Sequence, residues 1–336
     1  MRIKNLNGNG PYQIENGAVI IGSSLVYGEE NYNLSPFDGN IEYLPDEIAK
    51  FLRRRAKFEN EETCDYDLIK NVNIIGQVDA PIYSFNTMHP TNYFHFLIEH
   101  LPTLAFLMKS KCLPDDTIIV TGLLHKNFIN ALNSVTSNKF PTLQLKQYNG
   151  IKSNVVYCDH GSFSGNELIS GNINSSLIFN HKNILLLKKV LFQYTELEGV
   201  KKPKFFGRKI FIIRQSFQRN IKNIDELIYI AKEHNFEIVR PEELSFEEQA
   251  KLFSTSSFIV GPTGAWVANL IFTHKSAKVH ILFPDHNPNN LWTLFSSIFD
   301  IEVSNHYFPI TTLNQYQPMH SDFVVTSKKF RSILST

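Results

Sequence analysis

Cysteine is scarce. Cys64, Cys112 and Cys158 are the only three in 336 residues, they lie far apart, and no CxxC occurs. Neither a disulfide framework nor a cysteine-built zinc site is expected, and a reducing compartment fits. Net charge is nearly absent too, with 33 Lys and Arg against 32 Asp and Glu leaving +1. That balance predicts no nucleic-acid partner and no acidic tail. No apolar run approaches the ~20 residues of a membrane span; the longest, such as Ile210-Phe211-Ile212-Ile213, are strand-sized. The opening stretch MRIKNLNGNGPYQIENG contains no apolar segment of the kind a signal peptide needs. The expectation is a cytoplasmic protein, with peripheral contact at the inner face of the membrane as the open alternative. The P-loop, GxGxxG, GxSxG and HExxH patterns are all missing, which removes the commonest nucleotide, hydrolase and metalloprotease signatures.

What is present is core-forming material. Hydrophobic residues make up 43% and charged residues 19%, a ratio that predicts a packed chain rather than a disordered one. Strand-like runs occur at Ala18–Ile21, Asn73–Ile75, Ile118–Val120, Leu143–Tyr148 and Val155–Tyr157. Helical patterns occur at Pro45–Arg55, from Asn92 onward, at 126–134 and at 181–197. Pro102 is expected to end or kink the helix that begins at Asn92. The segment Glu198–Lys204 mixes Gly, Pro and charge and reads as a linker. Beyond it strands and helices alternate: Lys209–Ile213, Ile224–His234, Phe236–Val239, Ser245–Ser254, Ser257–Val260, Ala265–Phe272, Lys278–Phe283 and Asn289–Phe299. Such spacing predicts βαβ units and a parallel sheet. The expected fold class is α/β, with two doubly wound Rossmann-like domains facing across a cleft. Residues 1–198 form the acceptor-side domain and 205–304 the nucleotide-binding domain. A terminal strand and helix in 305–336 pack back toward the domain interface.

Three sets of residues carry candidate chemistry. The loop Gly261-Pro262-Thr263-Gly264-Ala265 follows an apolar strand and opens a helix. In an open α/β sheet that position faces ligands, and a helix N-terminus there suits phosphate; a turn that needs glycine for its geometry alone reads equally well. Arg214 ends one strand, and Arg219-Asn220 precede the next helix, so both arginines are expected on the same sheet edge as the glycine loop. Two guanidinium groups beside it would hold a diphosphate; ordinary surface ion pairs are the plainer reading. Asn92, His95 and Glu99 share one helix face. They form a candidate general-base cluster, or else a hydrogen-bonded core histidine. No third ligand stands at a metal-supporting spacing, so no metal is expected, and Asp65-Tyr66-Asp67 matches the DxD pattern only formally.

Taken together, these blocks resemble the family 61 glycosyltransferases. One block is Asn92-Tyr93-Phe94-His95, followed by Glu99-His100-Leu101-Pro102. The other runs from Lys209 to Pro284 and includes Arg214, Arg219-Asn220, Pro241-Glu242-Glu243-Leu244-Ser245 with Gln249, and Gly261, Gly264-Ala265 and Asn269. The resemblance implies a GT-B fold and an inverting, metal-independent transferase. No cofactor is implied; the donor is a nucleotide-sugar, taken as UDP-linked. It further implies that Glu242, Gln249, Thr263 and Asn269 join Arg214, Arg219, Asn220, Gly261, Gly264 and Ala265 in binding that donor. The implied partner is a glycan or lipid-linked glycan acceptor, by analogy in bacterial capsule or lipopolysaccharide assembly, with contact to a polysaccharide assembly complex. The group moved would be a hexosyl, N-acetylhexosaminyl or pentosyl unit. The chain departs from many relatives at Thr263, where they have His, at Trp266, where they have Gly, and at His280, where they have an acid. Two other readings remain: a nucleotide-sugar-binding or assembly protein without catalysis, and another polysaccharide-modifying transferase on the same architecture.

Overall fold

The computed structural model describes residues 3–5, 12–20, 26–28, 33–34, 73–85, 92–146, 149–159, 181–195, 206–214, 218–285, 293–313 and 320–336. The expected helix at Pro45–Arg55, the Asp65–Asp67 segment and the linker Glu198–Lys204 lie outside the described residues. Two compact units emerge, Met1–Val190 and Leu191–Thr336. Among the described residues no helix is long and apolar enough to cross a membrane.

The first unit is built on a sheet of nine described strands: β1 (Ile3–Asn5), β2 (Tyr12–Ile20), β3 (Val26–Gly28), β4 (Asn33–Leu34), β5 (Asn73–Val78), β6 (Ile82–Phe85), β7 (Ile118–Gly122), β8 (Thr142–Leu145) and β9 (Asn149–Asp159). Their order is β4-β3-β2-β9-β6-β7-β8, with β1 beside β2 and β5 beside β9. Strands β5, β6, β7, β8 and β9 pair in parallel. The remainder, β1 to β4, joins antiparallel to β2 and through it to β9. So the doubly wound pattern covers half of this sheet. The links between β1, β2, β3 and β4 are too short for the crossover that a parallel pair requires.

Helix α1 (Tyr93–His95) leads through a π turn (Phe96–His100) into α2 (Leu101–Lys109). Pro102 therefore does not end the helix. It has no N–H, and its ring would crowd the carbonyl four residues back. The widened turn just before it, closed by the Leu101 N–H donating to the Phe96 carbonyl, accommodates that defect. Phe94, Phe96, Leu97, Ile98, Leu101, Leu104 and Leu107 are buried along this stretch. Helix α3 (Lys126–Thr136) packs beside it: the Phe128 ring meets Tyr93 edge-on at 5.6 Å and tilts over Phe96 at 4.9 Å. Helix α4 (His181–Tyr194) spans the division between the units.

The second unit is regular. Strands β10 (Arg208–Ile212), β11 (Glu237–Val239), β12 (Ser256–Pro262), β13 (Lys278–Pro284) and β14 (Glu302–Phe308) lie in the order β11-β10-β12-β13-β14, all parallel. Strand β14 was not expected: its sequence, Glu-Val-Ser-Asn-His-Tyr-Phe, is half polar because an edge strand is half-solvated, and it crosses the expected boundary at 304–305. Central strands are covered on both faces, hence their unbroken apolar runs. One face, with Phe211, Phe258 and Val260, buries against α5 (Ile224–Glu233) and α8 (Ser327–Leu334), through Leu227, Ile230, Phe330 and Ile333. The terminal strand and helix thus pack into this unit's own core. Successive side chains alternate along a strand, so Ile212 and Gly261 turn to the other face, where Trp266 stands close to Gly261. That face carries α6 (Phe246–Thr255) and the expected helix Ala265–Phe272, which is of the 3₁₀ type. Phe253 stacks on Trp266 and Phe246 meets Phe272 edge-on. Helix α7 (Thr293–Phe299), a 3₁₀ turn at Pro241–Glu243 and an antiparallel pair of short strands, β15 (Ile310–Thr312) and β16 (Asp322–Phe323), complete the described elements.

His280 on β13 lies stacked between Phe258 and His306, with its Nδ1 2.9 Å from the His306 Nε2. Burial first, then the charges of His306 and Lys278, push His280 down to about 4, and burial also lowers His306. In the unfolded chain each would bind a proton near its ordinary pKa of about 6.5. The unfolded state therefore holds more protons between about pH 6.5 and 4, and stability must fall as pH drops through that window. Melting temperature measured from pH 7.5 to 4 is expected to decline there, and to decline less steeply in His280→Phe, which keeps the stack. An unchanged slope in the variant would contradict the assignment.

Candidate functional site

The carboxyl edge of the parallel sheet gathers the polar residues of the second unit. Parallel register makes this automatic, since all strand ends on that edge point the same way. Strand β10 runs into Ile213-Arg214, β11 into Arg240-Pro241-Glu242, and β12 into Thr263-Gly264. Backbone bonds carry the register to the edge: the Ile213 N–H donates to the Val239 carbonyl and the Thr263 N–H to the Leu282 carbonyl, both at 2.9 Å. Arg214 Nη1 then donates to the Thr263 carbonyl at 2.9 Å, so the guanidinium lies across the glycine turn.

The two glycines serve different ends. Gly261 lies inside β12 and is buried; a Cβ there would stand 2.8 Å from the Ile212 Cβ and 3.2 Å from the Trp266 ring. Its role is close packing of neighbouring strands. Gly264 has extended backbone, which any residue can adopt, but a Cβ there would come within 3.1 Å of Arg214 Nη1. Glycine at 264 leaves the space in which the arginine lies.

Arg219 reaches the same place by another route. It sits at φ +56°, the left-handed region that few non-glycine residues occupy. A clamp holds it there. The Arg219 N–H donates to the His320 carbonyl at 3.1 Å, Phe323 N–H to Asn220 O at 3.0 Å, and Lys222 N–H to Phe323 O at 2.9 Å. Asp322 accepts from the Asn220 N–H at 2.7 Å and pairs with Lys222 at 2.7 Å. Arg219 Nε is buried and meets no acceptor among the described residues. Burial, followed by the neighbouring Arg214 charge, brings the Arg219 guanidinium down to about 10, still cationic at neutral pH. Burial lowers Arg214 as well, and exposed Glu242 opposes that shift. The result is a pair of partly desolvated cations at one sheet edge. Guanidinium forks in that state match phosphate oxygens. Among the described residues no three His, Cys, Asp or Glu side chains gather as metal ligands would.

In the first unit, His95 Nδ1 lies 2.7 Å from Glu99 Oε1 across the π turn; the His95 side chain is 23% exposed and that of Glu99 2%. Glu99 therefore holds the ring while His95 alone reaches solvent. Burial pushes the Tyr93 hydroxyl far above its ordinary value, so it stays protonated.

The model of the family described as Glycosyltransferase 61 matches residues 93–280, more than half of the chain. The chain belongs to glycosyltransferase family 61. The matched range includes His95 and Glu99 in the first unit and Arg214, Arg219 and Gly264 in the second. Among proteins of curated description none matches. Among solved structures, the heptosyltransferase WaaC of E. coli, with ADP-2-deoxy-2-fluoro heptose, is similar at 9% identity and a TM-score of 0.31, over 67% of this chain and 92% of its own. The dodecameric iron-containing heptosyltransferase TibC, in complex with ADP-D-beta-D-heptose, is similar at 12% identity and a TM-score of 0.31, over 65% of this chain and 62% of its own.

Within this family 61 chain, several expected site residues have other tasks. Asn92 Oδ1 accepts from the Phe94 N–H at 3.0 Å and caps α1, so its side chain is committed to the helix end. Gln249 and Asn269 are 4% and 0% exposed and bond to each other at 2.8 Å, joining α6 to the 3₁₀ helix. Asn220 is tied to Asp322 and belongs to the clamp. Thr263 is buried and offers its carbonyl to Arg214, whereas Ala265 is the half-exposed member of the turn. Glu242 stands near Arg214, and the neighbouring Ser245 and Glu248 form a capping box on α6. The clamp and His320 escaped the sequence reading, because their partners lie 102 residues away and no local motif marks them.

The two glycines are expected to separate in mutation. Gly261→Ala should lose about 1–3 kcal/mol of stability in urea unfolding, as overpacking between strands does. Gly264→Ala should stay within about 0.5 kcal/mol, because the atom it meets is the mobile end of Arg214, yet weaken diphosphate binding by displacing that side chain. Equal stability losses in both would contradict these assignments.

Proposed function

We propose that the chain transfers a sugar from a nucleotide-sugar, UDP-linked, to a glycan acceptor by an inverting reaction that needs no metal. The observation that carries this reading is the pair Arg214 and Arg219, two partly buried cations at the carboxyl edge of the parallel sheet, Arg214 lying across the glycine turn and Arg219 with a buried Nε that meets no acceptor among the described residues. In the proposed reaction the acceptor hydroxyl attacks the anomeric carbon as the bond from that carbon to the diphosphate oxygen breaks. The electron pair leaves on the diphosphate. Arg214 and Arg219 neutralise the charge that develops there, the role a metal plays elsewhere. His95 is proposed as the base. The Glu99 carboxylate, 2.7 Å from Nδ1, would favour the hydrogen on that nitrogen and so leave the lone pair on Nε2 for the acceptor proton. The exposure difference within the pair supports His95 rather than Glu99 in that role. The acceptor class, a bacterial capsule or lipopolysaccharide glycan at or near the membrane, follows by analogy within the family alone.

Calorimetry with UDP, GDP, dTDP and CMP tests the donor site. Arg214→Ala and Arg219→Ala are each expected to lose about 1.5–3 kcal/mol of nucleotide affinity, and unchanged affinity in both would overturn the assignment. Turnover tests the base. In excess EDTA, where the parent should remain active, folded His95→Ala is expected to lose about 10²–10⁴-fold in kcat with nucleotide affinity preserved. Parental turnover in His95→Ala would instead favour a structural role for this helix.

A further inference from the structure

We propose that His320 is an additional donor-site residue, one that takes up a proton as the nucleotide diphosphate binds between it and the two arginines. The inference rests on the donor-site reading of Arg214 and Arg219 and adds a group that no motif marks.

The geometry places His320 in the arginine cluster through two bonds. Its carbonyl accepts the Arg219 N–H at 3.1 Å, so its backbone is part of what holds Arg219 in the left-handed conformation. Its ring Nδ1 lies 2.6 Å from the Gln218 Oε1. An amide oxygen only accepts, so Nδ1 carries the hydrogen and Nε2 is the atom whose protonation can change. The Gln218 bond survives that change, since Nδ1 is a donor in both neutral and cationic imidazole. The clamp itself is built from backbone bonds and from Asn220, Lys222 and Asp322, and asks nothing of an imidazole at position 320.

The charges around the ring set the direction. Arg219 and Arg214 both act on it, after burial, and hold it down to about 4. Glu242 faces Arg214 from the turn after β11, and the Asp322–Lys222 pair lies two residues along. With cations predominating, the ring is neutral at pH 7. A diphosphate brings two or more negative charges to the same arginines, one of which has a buried Nε with no acceptor among the described residues. An opposite charge within ~4–6 Å favours the cationic form of a histidine by one to three pK units. Binding thus reverses the local field, and the imidazolium becomes a third cation on the leaving group. When the diphosphate departs, the proton is released with it.

The test uses the tightest binder among UDP, GDP, dTDP and ADP. Calorimetry at pH 6 in buffers of different ionisation enthalpy gives the protons taken up per nucleotide bound. The parent is expected to take up a substantial fraction of one proton more than His320→Gln, and the parent's affinity should rise on going from pH 7.5 to 5.5 relative to the variant's by about three-fold or more. The His320 ring resonance in the parent, titrated by NMR, should move from a pKa below 5 without nucleotide to above 6 with it, a readout independent of any variant's folding. Equal proton uptake in parent and variant, or a ring that stays neutral at pH 6 with nucleotide bound, overturns this inference and leaves the donor site intact. Nucleotide binding that is indifferent to both Arg214→Ala and Arg219→Ala overturns the donor-site reading instead, and this inference with it.

Discussion

Two arginines brought to one sheet edge, both partly out of water, are the constraint around which the second unit is arranged. Desolvating one guanidinium is unfavourable, and placing a second beside it adds repulsion. Such an arrangement persists only when the fold enforces it from several directions. Here the enforcement is visible. The parallel register delivers Arg214 to the edge beside Thr263, whose carbonyl takes one of its five N–H groups. The clamp between Arg219–Asn223 and His320–Val325 forces Arg219 into a left-handed backbone. Stability is given up locally and recovered in the core beneath, where Phe211, Phe330, Phe323 and Leu227 are fully buried. A cluster of this kind is preorganised for an anion, because its donors need no reorientation when the ligand arrives.

The legible part of the second unit was its parallel core. Apolar runs such as Ile210–Ile213 and the spacing of Ile224, Leu227, Ile230 and Ala231 mark strands and helices from local pattern alone, and the strand ends then put Arg214 and Gly264 on one edge. What pattern could not supply was anything set by distant partners. Gln249 and Asn269 look like ligand contacts in a motif, and become a buried amide pair only once α6 and the 3₁₀ helix are packed. Gly261 resembles Gly264 in sequence, yet one spaces strands and the other makes room for a side chain. The clamp joins segments 102 residues apart, a separation over which periodicity carries no information.

The first unit repeats the lesson at closer range. The face shared by His95 and Glu99 followed from a four-residue spacing, and their 2.7 Å contact is its consequence. The π turn beneath them is the local answer to Pro102, which was expected to end or kink the helix and which the helix passes through by widening one turn. The antiparallel part of the sheet was hidden because β1, β3 and β4 are only two or three residues long, too short to display an alternation.

If Arg214 and Arg219 hold the donor as proposed, the diphosphate, rather than the base or ribose, carries nucleotide recognition. Calorimetric titration of the parent protein with UDP, UMP and uridine tests it most directly. Affinity is expected to fall by at least about ten-fold from UDP to UMP, the equivalent of about 1.4 kcal/mol, and again from UMP to uridine. Uridine binding as tightly as UDP would contradict it.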